Sequence, residues 1–195
     1  MKQLSSTASS LTDKMLGGIC AILCVISFSA CQKQVADKNG NTEIQSAPKN
    51  DPNGEVLNWY TGLSSQTMWE LQQARAATAK YRFDTLNAYK DGYRNIDVDV
   101  EHMGHHFLKL DLVTGEFDYR RPQLLVYNKD ENGKIELVAV EYAVPINLPE
   151  PAGFSGSQDV WDHNTTFNLW LLHAWVWKYN PDGVFNPLNP EVHLH

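Results

Sequence analysis

Cysteine is scarce in this sequence and is confined to its beginning. The three cysteines are Cys20, Cys24 and Cys31, and none occurs further along the chain. The long remainder therefore has neither an internal disulfide nor a cysteine nucleophile. The patterns GxSxG, GxxxxGK[ST] and GxGxxG are absent as well, so the sequence supports neither serine acyl transfer nor a nucleotide-binding loop.

Clusters of positive charge and long apolar runs are also missing. The formal net charge is -7, and it becomes -8 when the first 30 residues, with two lysines and one aspartate, are left out. An acidic chain without basic clusters argues against nucleic acid as a partner and against electrostatic binding to a membrane surface. Beyond the N-terminus, no stretch approaches the roughly 20 apolar residues that a membrane-spanning helix needs.

What the sequence does have, first, is an N-terminal export signal. Lys2 and Lys14 precede an apolar run over residues 15–30, which ends in small residues before Cys31. This layout is typical of a secretory signal. The stretch Phe28-Ser29-Ala30-Cys31 resembles the bacterial lipobox, with Phe28 in place of the usual leucine, and predicts lipidation of Cys31. The alternative is an ordinary signal in which the cysteine occurs by chance.

The sequence divides into three parts. Residues 1–30 are the predicted lipoprotein signal, and residues 31–56 are the lipidated cysteine with a polar tether that has too few large apolar residues to form a core. Residues 57–195 are the predicted folded domain, of ordinary single-domain size. We therefore expect a protein of the bacterial cell envelope, held in a lipid bilayer by acylated Cys31, with its domain outside the cytoplasm.

The folded part is predicted to be α+β, with an N-terminal helix on a small antiparallel sheet of about four strands. Thr67 and Glu70 form a capping-box pattern that opens the helix, and Asp91-Gly92 ends the helical region. Alternation then predicts four strands, followed or separated by turn residues. They cover residues 105–111, 123–128, 134–144 and 167–178, the second and third forming a hairpin. Residues 147–164 are expected to form a long loop that could cover a site.

Three of these strands carry one ionisable residue each among apolar neighbours. In LWLLHAWVW the residue is His173, in KIELVAVEYAV it is Glu141, and in GHHFLKL the inward candidate is His106. A buried imidazole needs a partner, and an isolated buried carboxylate takes up a proton or lies beside a cation. Two imidazoles and a carboxylate are ligands of Zn²⁺ and of non-haem Fe²⁺, so we predict a divalent metal site, with zinc first and iron second.

Other residues are candidates for a supporting role at this site. His163, His102 and His105 could supply an additional ligand, and His163 is favoured because it ends the long loop. Trp175 and Trp177 could line a substrate pocket, although aromatic strand residues also serve as core. The alternative gives each polar residue a separate structural role, with His173 bonded to a backbone carbonyl, Glu141 paired with an arginine such as Arg94, and His106 satisfied at a sheet end.

The motifs MGHHF, LVAVEY and HAWVWKYNPDGVF resemble those of a set of small exported bacterial proteins with the shared patterns MGxH-aromatic, VE-aromatic and HxWxWxxNPxGxF. The resemblance covers roughly residues 74–192 and includes all three candidate ligands. Many of those proteins carry two further cysteines that this sequence lacks. The matching positions are Met103, Gly104, His106, Phe107, Glu141, Tyr142, His173, Trp175, Trp177, Asn180, Pro181, Gly183 and Phe185.

Three functions remain open at the level of sequence. The first is a metal-dependent hydrolase or lyase that acts on a small polar molecule, with Glu141 as ligand or general base. The second is a non-catalytic module that binds a ligand in a tryptophan-lined pocket without metal. The third is a structural accessory lipoprotein.

Overall fold

The computed structural model describes residues 56–195, so the predicted signal, Cys31 and the tether lie outside the described residues. The longer helices are α1 (Ser65–Thr78) and α2 (Thr85–Lys90). Short 3₁₀ turns occur at Val56–Trp59, Ala79–Tyr81 and Leu110–Leu112. The strands are β1 (Arg94–Val100), β2 (Gly104–Leu108), β3 (Leu124–Lys129), β4 (Ile135–Pro145), β5 (Asp162–Asn164) and β6 (Leu169–Ala174).

These strands form one antiparallel sheet in the order β1-β2-β3-β4-β6-β5. The predicted α+β class is confirmed, but the sheet has six strands and the prediction was about four. The predicted hairpin is also confirmed, because β3 pairs with β4 across a turn closed by Gly133 N–H donating to the Asp130 carbonyl at 2.8 Å. The two strands that the sequence did not predict, β1 and β5, are the two edges of the sheet.

Both edge strands are largely exposed, so neither has the buried apolar pattern of a core strand, although Ile96, Val98 and Val100 alternate with aspartates in β1. Four of the seven residues of β1 are exposed in succession, and Asp97 has a positive φ of 53° where the pairing with β2 shifts register. Strand β5 has only three residues and is also largely exposed. Charged, short or bulged edge strands protect a sheet from pairing with other chains, so these features suit their position.

One face of the sheet packs with α1. The main core includes Leu71 and Ala74 of α1, together with Phe107, Leu125, Tyr127, Val140, Tyr142 and Leu172 of the strands. The helix begins after Ser64, whose hydroxyl accepts a hydrogen bond from Thr67 N at 3.0 Å. The predicted capping box at Thr67 and Glu70 is therefore wrong, because the cap lies three residues earlier.

Glu70 instead holds the long loop that precedes β5. Its carboxylate oxygens accept hydrogen bonds from the backbone N–H and the hydroxyl of Ser155, both at 2.7 Å. Phe154 next to it packs in the main core, with its ring centroid 5.5 Å from that of Tyr142. This part of the loop therefore covers the helix side of the sheet. The prediction that the loop could cover the His/Glu site does not apply to it.

The opposite face of the sheet is covered by a second, smaller core and by the end of the C-terminal segment, residues 184–194, whose first residues, Val184 and Phe185, pack in the main core. The small core consists of Val126, Val138, Ala139, Trp175 and Val192. The segment is held by Trp175, whose backbone N–H donates to Val184 O at 2.9 Å and whose indole N–H donates to Asn186 O at 2.6 Å. It is on this face that the candidate site lies.

Candidate metal centre

The register of four neighbouring strands places His106, Glu141 and His173 on the same face. His106 of β2 is opposite Val126 of β3, while Glu141 of β4 is opposite both Leu124 of β3 and His173 of β6. Residues directly opposite each other in an antiparallel pair project to the same side of the sheet. The pairing of β2, β3, β4 and β6 therefore places the three ionisable side chains on one face of the sheet, close to one another.

The distances between the three side chains suit a metal ion. Glu141 Oε1 lies 3.3 Å from His173 Nδ1, and Glu141 Oε2 lies 3.8 Å from His106 Nε2. One ligand atom from each residue lies within 4.8 Å of the others, so the cluster could hold a metal ion. Zinc ligands at about 2.1 Å in a tetrahedron are separated by roughly 3.4 Å. Small side-chain shifts would bring the three donors onto one ion.

All three side chains are buried. The relative exposures are 4 % for His106, 3 % for Glu141 and 4 % for His173. Burial raises the pKa of Glu141 to about 8, and the negative charge of Asp162 on β5 adds to that rise. Burial lowers the pKa of His173 to about 3, with the nearby His106 adding to the decrease, and it also lowers the pKa of His106. Without a cation, the three groups are therefore predominantly neutral at pH 7.

The backbone fixes the tautomer of His106. Its Nδ1 lies 2.8 Å from the carbonyl oxygen of Val98 in β1. Because a carbonyl only accepts, Nδ1 must carry the proton, which leaves the lone pair of Nε2 directed at Glu141. Metal-binding histidines are commonly oriented in this way, by a carbonyl or carboxylate on the second ring nitrogen.

His173 is incompletely satisfied. Its Nδ1 faces Glu141, and its Nε2 is buried without a hydrogen-bond partner among the described residues. A buried polar atom left without a partner costs on the order of 1–3 kcal/mol. The alternative in which His173 is simply bonded to a backbone carbonyl therefore does not hold. Similar unpaired buried atoms occur at His105, Asn128 and Trp161, so the unpaired Nε2 leaves His173 without a structural partner in the described part of the chain but does not by itself identify a ligand.

The arginine proposed as a structural partner for Glu141 lies elsewhere. Arg94 Nη1 donates to the carbonyl oxygens of Tyr89 and Tyr93, each at 2.7 Å. Among residues 56–195, the ionisable side chains within 4 Å of the Glu141 carboxyl are the two histidines, which are neutral at pH 7 because burial lowers their pKa values. Without a guanidinium beside it, Glu141 keeps its proton in the metal-free protein, and a bound metal cation would take the place of that proton.

The three additional histidine candidates are dispersed. His163 is exposed on β5, where its ring packs against Trp170 with centroids 4.6 Å apart. His105 points to the other side of β2 from His106 and contacts Asp99 Oδ1 through Nδ1 at 2.7 Å. His102 belongs to a separate surface group. The structure thus brings none of them into the buried cluster.

The two tryptophans separate to opposite faces. Trp175 remains beside the cluster, with its ring stacked on that of His173 at a centroid distance of 6.1 Å. Trp177 donates from its indole to Thr78 Oγ1 at 3.0 Å and lies under the Arg75 guanidinium, 4.0 Å from the ring centroid. Strand β6 ends at Ala174, so alternation no longer applies at Trp177, and the prediction that it lines the site is wrong.

Two contributors are not among the residues assigned to the site from the sequence. Asp162 raises the pKa of Glu141, but it lies on a three-residue strand that carries no alternation signal. Glu101 joins His102 and His193 in a second group of possible metal ligands. His102 and His193 are residue types that bind metals, but they are far apart in the sequence, so the sequence does not indicate that they lie close together in the fold.

Comparison with protein-family models, with curated proteins and with solved structures gives no match to this chain. Within residues 56–195, no helix has both the length and the apolar character needed to cross a membrane. The function of the site is accordingly argued from its own chemistry.

Proposed function

We propose that this protein is a lipid-anchored envelope protein whose domain binds a divalent metal ion through His106, Glu141 and His173. The observation that carries the proposal is the convergence of the three side chains, with donor atoms within 4.8 Å of one another, in a buried setting. Burial strengthens the attraction between a cation and its ligands, because there is little water to screen it.

Zinc is the first choice of metal. Two imidazoles and one carboxylate form a ligand set of catalytic zinc sites, in which a fourth position is left for water or substrate. The same two-histidine, one-carboxylate set also binds non-haem Fe²⁺, which is the second choice. The preoriented Nε2 of His106 supports either metal, since it removes the need to select a tautomer on binding.

If the centre is catalytic, we propose a hydrolase or lyase that acts on a small polar molecule. A metal in this position would activate water or polarise a substrate oxygen. Glu141 would serve as a ligand or, if the metal is held by the histidines, as a general base, and burial already brings its pKa to about 8, close to the working pH of a base.

The near-complete burial of the ligands favours a second candidate, a non-catalytic role. With exposures of 3–4 %, the three side chains are closed to a substrate in this conformation. A metal there would serve chiefly to fasten β2, β4 and β6 together, as structural metals do. The other non-catalytic role is that of a metal-free module that binds a small ligand beside Trp175.

The anchor is proposed from the sequence of the first 31 residues. Cys31→Ser should release the protein from the membrane fraction of a bacterial host and remove its acyl mass, because the thiol that carries the lipid is gone. Cys24→Ser, inside the apolar run, is the matched control and should remain anchored. Equal membrane association of both variants would contradict the lipoprotein assignment.

Elemental analysis tests the metal centre. The unprocessed full-length chain, produced in the cytoplasm so that the signal is retained and Cys31 carries no lipid, is purified without a histidine tag or chelator. Its three thiols are alkylated so that Cys20, Cys24 and Cys31 bind no metal. Relative to wild type, we expect Glu141→Gln to lose one equivalent of zinc or iron and His163→Ala to lose none, because His163 is exposed and lies outside the cluster. Equal metal content in the two variants would overturn the proposed site, and so would no metal in any form after supplementation.

A further inference from the structure

A second group of metal-ligating side chains lies at the surface, apart from the buried centre. It consists of Glu101 and His102, in the turn between β1 and β2, and His193, near the C-terminus. We call it the surface cluster. One ligand atom from each residue lies within 4.8 Å of the others. The three residues come from two segments about 90 positions apart, so their meeting is a product of the fold.

The contacts within the surface cluster are those of ligands held close together. Glu101 Oε1 lies 3.0 Å from His193 Nδ1 and 3.8 Å from His102 Nδ1. The two imidazole rings have centroids 5.3 Å apart. Their side chains retain exposures of 41–56 %, so they are free to move from the present ligand-atom separations, within 4.8 Å, to the roughly 3.4 Å spacing of zinc ligands.

His102 is prepared for binding in the same way as His106. Its Nδ1 lies 3.1 Å from the Val192 carbonyl oxygen, which fixes the proton on Nδ1 and leaves the Nε2 lone pair free. The residue also has a left-handed backbone, with φ of 66°, which a non-glycine residue adopts at a cost. Asn189 N–H donates to the His102 carbonyl at 2.8 Å and stabilises this conformation.

The C-terminal segment holds Glu101 in position. Its Oε2 accepts a hydrogen bond from Leu194 N at 3.2 Å, and its Oε1 lies 3.0 Å from His193 Nδ1. An anionic carboxylate between two imidazoles with available nitrogens is a donor set for zinc and related divalent ions.

The surface cluster lies where the C-terminal segment closes over the sheet face of the buried centre. Val192, between the contacts of His102 and His193, is fully buried in the small core with Val126 and Trp175. Trp175 in turn stacks on His173. A metal joining His193 to the turn at Glu101 would therefore fix the cover of the buried centre.

We propose that Glu101, His102 and His193 form a second divalent-cation site, of the zinc class, which fastens the C-terminal segment across the sheet. This site is independent of the buried centre in its ligands. A bound metal would link the β1–β2 turn to the C-terminal segment, which are otherwise held together here by hydrogen bonds. It would therefore slow the local unfolding of residues 184–194.

Zinc binding to the full-length, thiol-alkylated chain tests the proposal by equilibrium dialysis at low-micromolar free zinc. The background is Glu141→Gln, which removes the buried centre, so that only the surface cluster is measured. We expect one zinc equivalent in this background and in His195→Ala, the matched control on the same tail. That equivalent should be lost in His193→Ala and in Glu101→Gln.

Two results would overturn the proposal. One is zinc binding in His193→Ala and Glu101→Gln equal to that in His195→Ala. The other is unchanged hydrogen exchange of the Val192 and Leu194 amides on zinc addition, where we expect exchange slowed at least tenfold. Failure of the buried centre is distinct from either, because it would appear as zinc content unaffected by Glu141→Gln in a chain that retains the surface cluster.

Discussion

The ionisation of Glu141 should control the pH dependence of stability in the metal-free protein. Burial raises its pKa to about 8 in the folded state, whereas the ordinary value of 4.5 applies to the unfolded chain. Between these two values, the folded state holds a proton that the unfolded state has lost. The free energy of unfolding therefore decreases as the pH rises through this interval, and the decrease is complete above pH 8.

His173 acts in the opposite sense, and in a different range. Its pKa falls from 6.5 to about 3 on burial, so between these pH values the unfolded state binds a proton and the folded state does not. Its contribution is present above pH 6.5 and is lost as the pH falls towards 3. The two effects offset one another below pH 6.5, and between pH 6.5 and 8 only that of Glu141 remains.

The size of the change in the free energy of unfolding follows from the interval of about 1.5 pH units, from pH 6.5 to pH 8. One proton difference is equivalent to about 1.4 kcal/mol per pH unit, so wild-type protein should lose about 2 kcal/mol relative to Glu141→Gln. The glutamine keeps the shape of the side chain but does not ionise. Every other titrating group is common to both proteins and cancels in the comparison, apart from groups close enough to respond to Glu141 itself.

Chemical denaturation of both proteins in a chelating buffer, followed by circular dichroism at pH 6.5 and pH 8, measures this difference. We expect Glu141→Gln to gain about 2 kcal/mol over wild type between the two values. A difference that changes by less than about 0.5 kcal/mol, the usual accuracy of such comparisons, would refute the reasoning. It would mean that Glu141 is already ionised in the folded protein, and hence that a hidden cation or solvent compensates it.

Three further predictions concern the centre and its supports. Zinc binding at pH 7 should release about one proton from Glu141, measured by calorimetry in buffers of different ionisation enthalpy, and no proton in Glu141→Gln; equal release in both would contradict the assignment. Gly104→Ala should lower the free energy of unfolding by more than about 2 kcal/mol in denaturant titrations, because Gly104 has φ of 122° and a Cβ there would overlap the Tyr127 carbonyl; Gly133→Ala, with open space around it, is the control. Glu70→Gln should speed proteolytic cleavage near Ser155 and leave metal content unchanged, since it weakens the loop contact on the far side of the sheet; unaltered cleavage would show that the contact is not what holds the loop.

The candidate site could be predicted from sequence because it depends on a local property. In a strand, alternate side chains share a face whatever the strand's neighbours are, so His106, Glu141 and His173 could each be placed inward. Their convergence is a matter of register, which depends on non-local pairing. The local sequence pattern does not indicate that Glu141 pairs with Leu124 on one neighbouring strand and with His173 on the other.

The elements that the sequence did not predict are those where the local pattern fails for a physical reason. Strand β1 alternates apolar residues with aspartates, but it is bulged and largely exposed, so its pattern does not mark a core strand. Strand β5 is three residues long and is too short to show alternation. Trp177 was misplaced because β6 ends three residues before it, where the chain turns and Trp175 N–H donates to Val184 O, outside the sheet. In each case, a tertiary contact decides the conformation, and periodicity within the segment gives no information about it.

The buried cluster and the surface cluster illustrate two ways of preparing histidine for a metal. At both, a backbone carbonyl holds Nδ1, that of Val98 for His106 and that of Val192 for His102. At the surface, Glu101 is ionised without a metal, because hydrogen bonds and solvent stabilise its charge. In the interior, Glu141 retains its proton until a cation replaces it. Metal binding to the buried centre should therefore weaken steeply as the pH falls below 8, because the metal must displace the proton of Glu141.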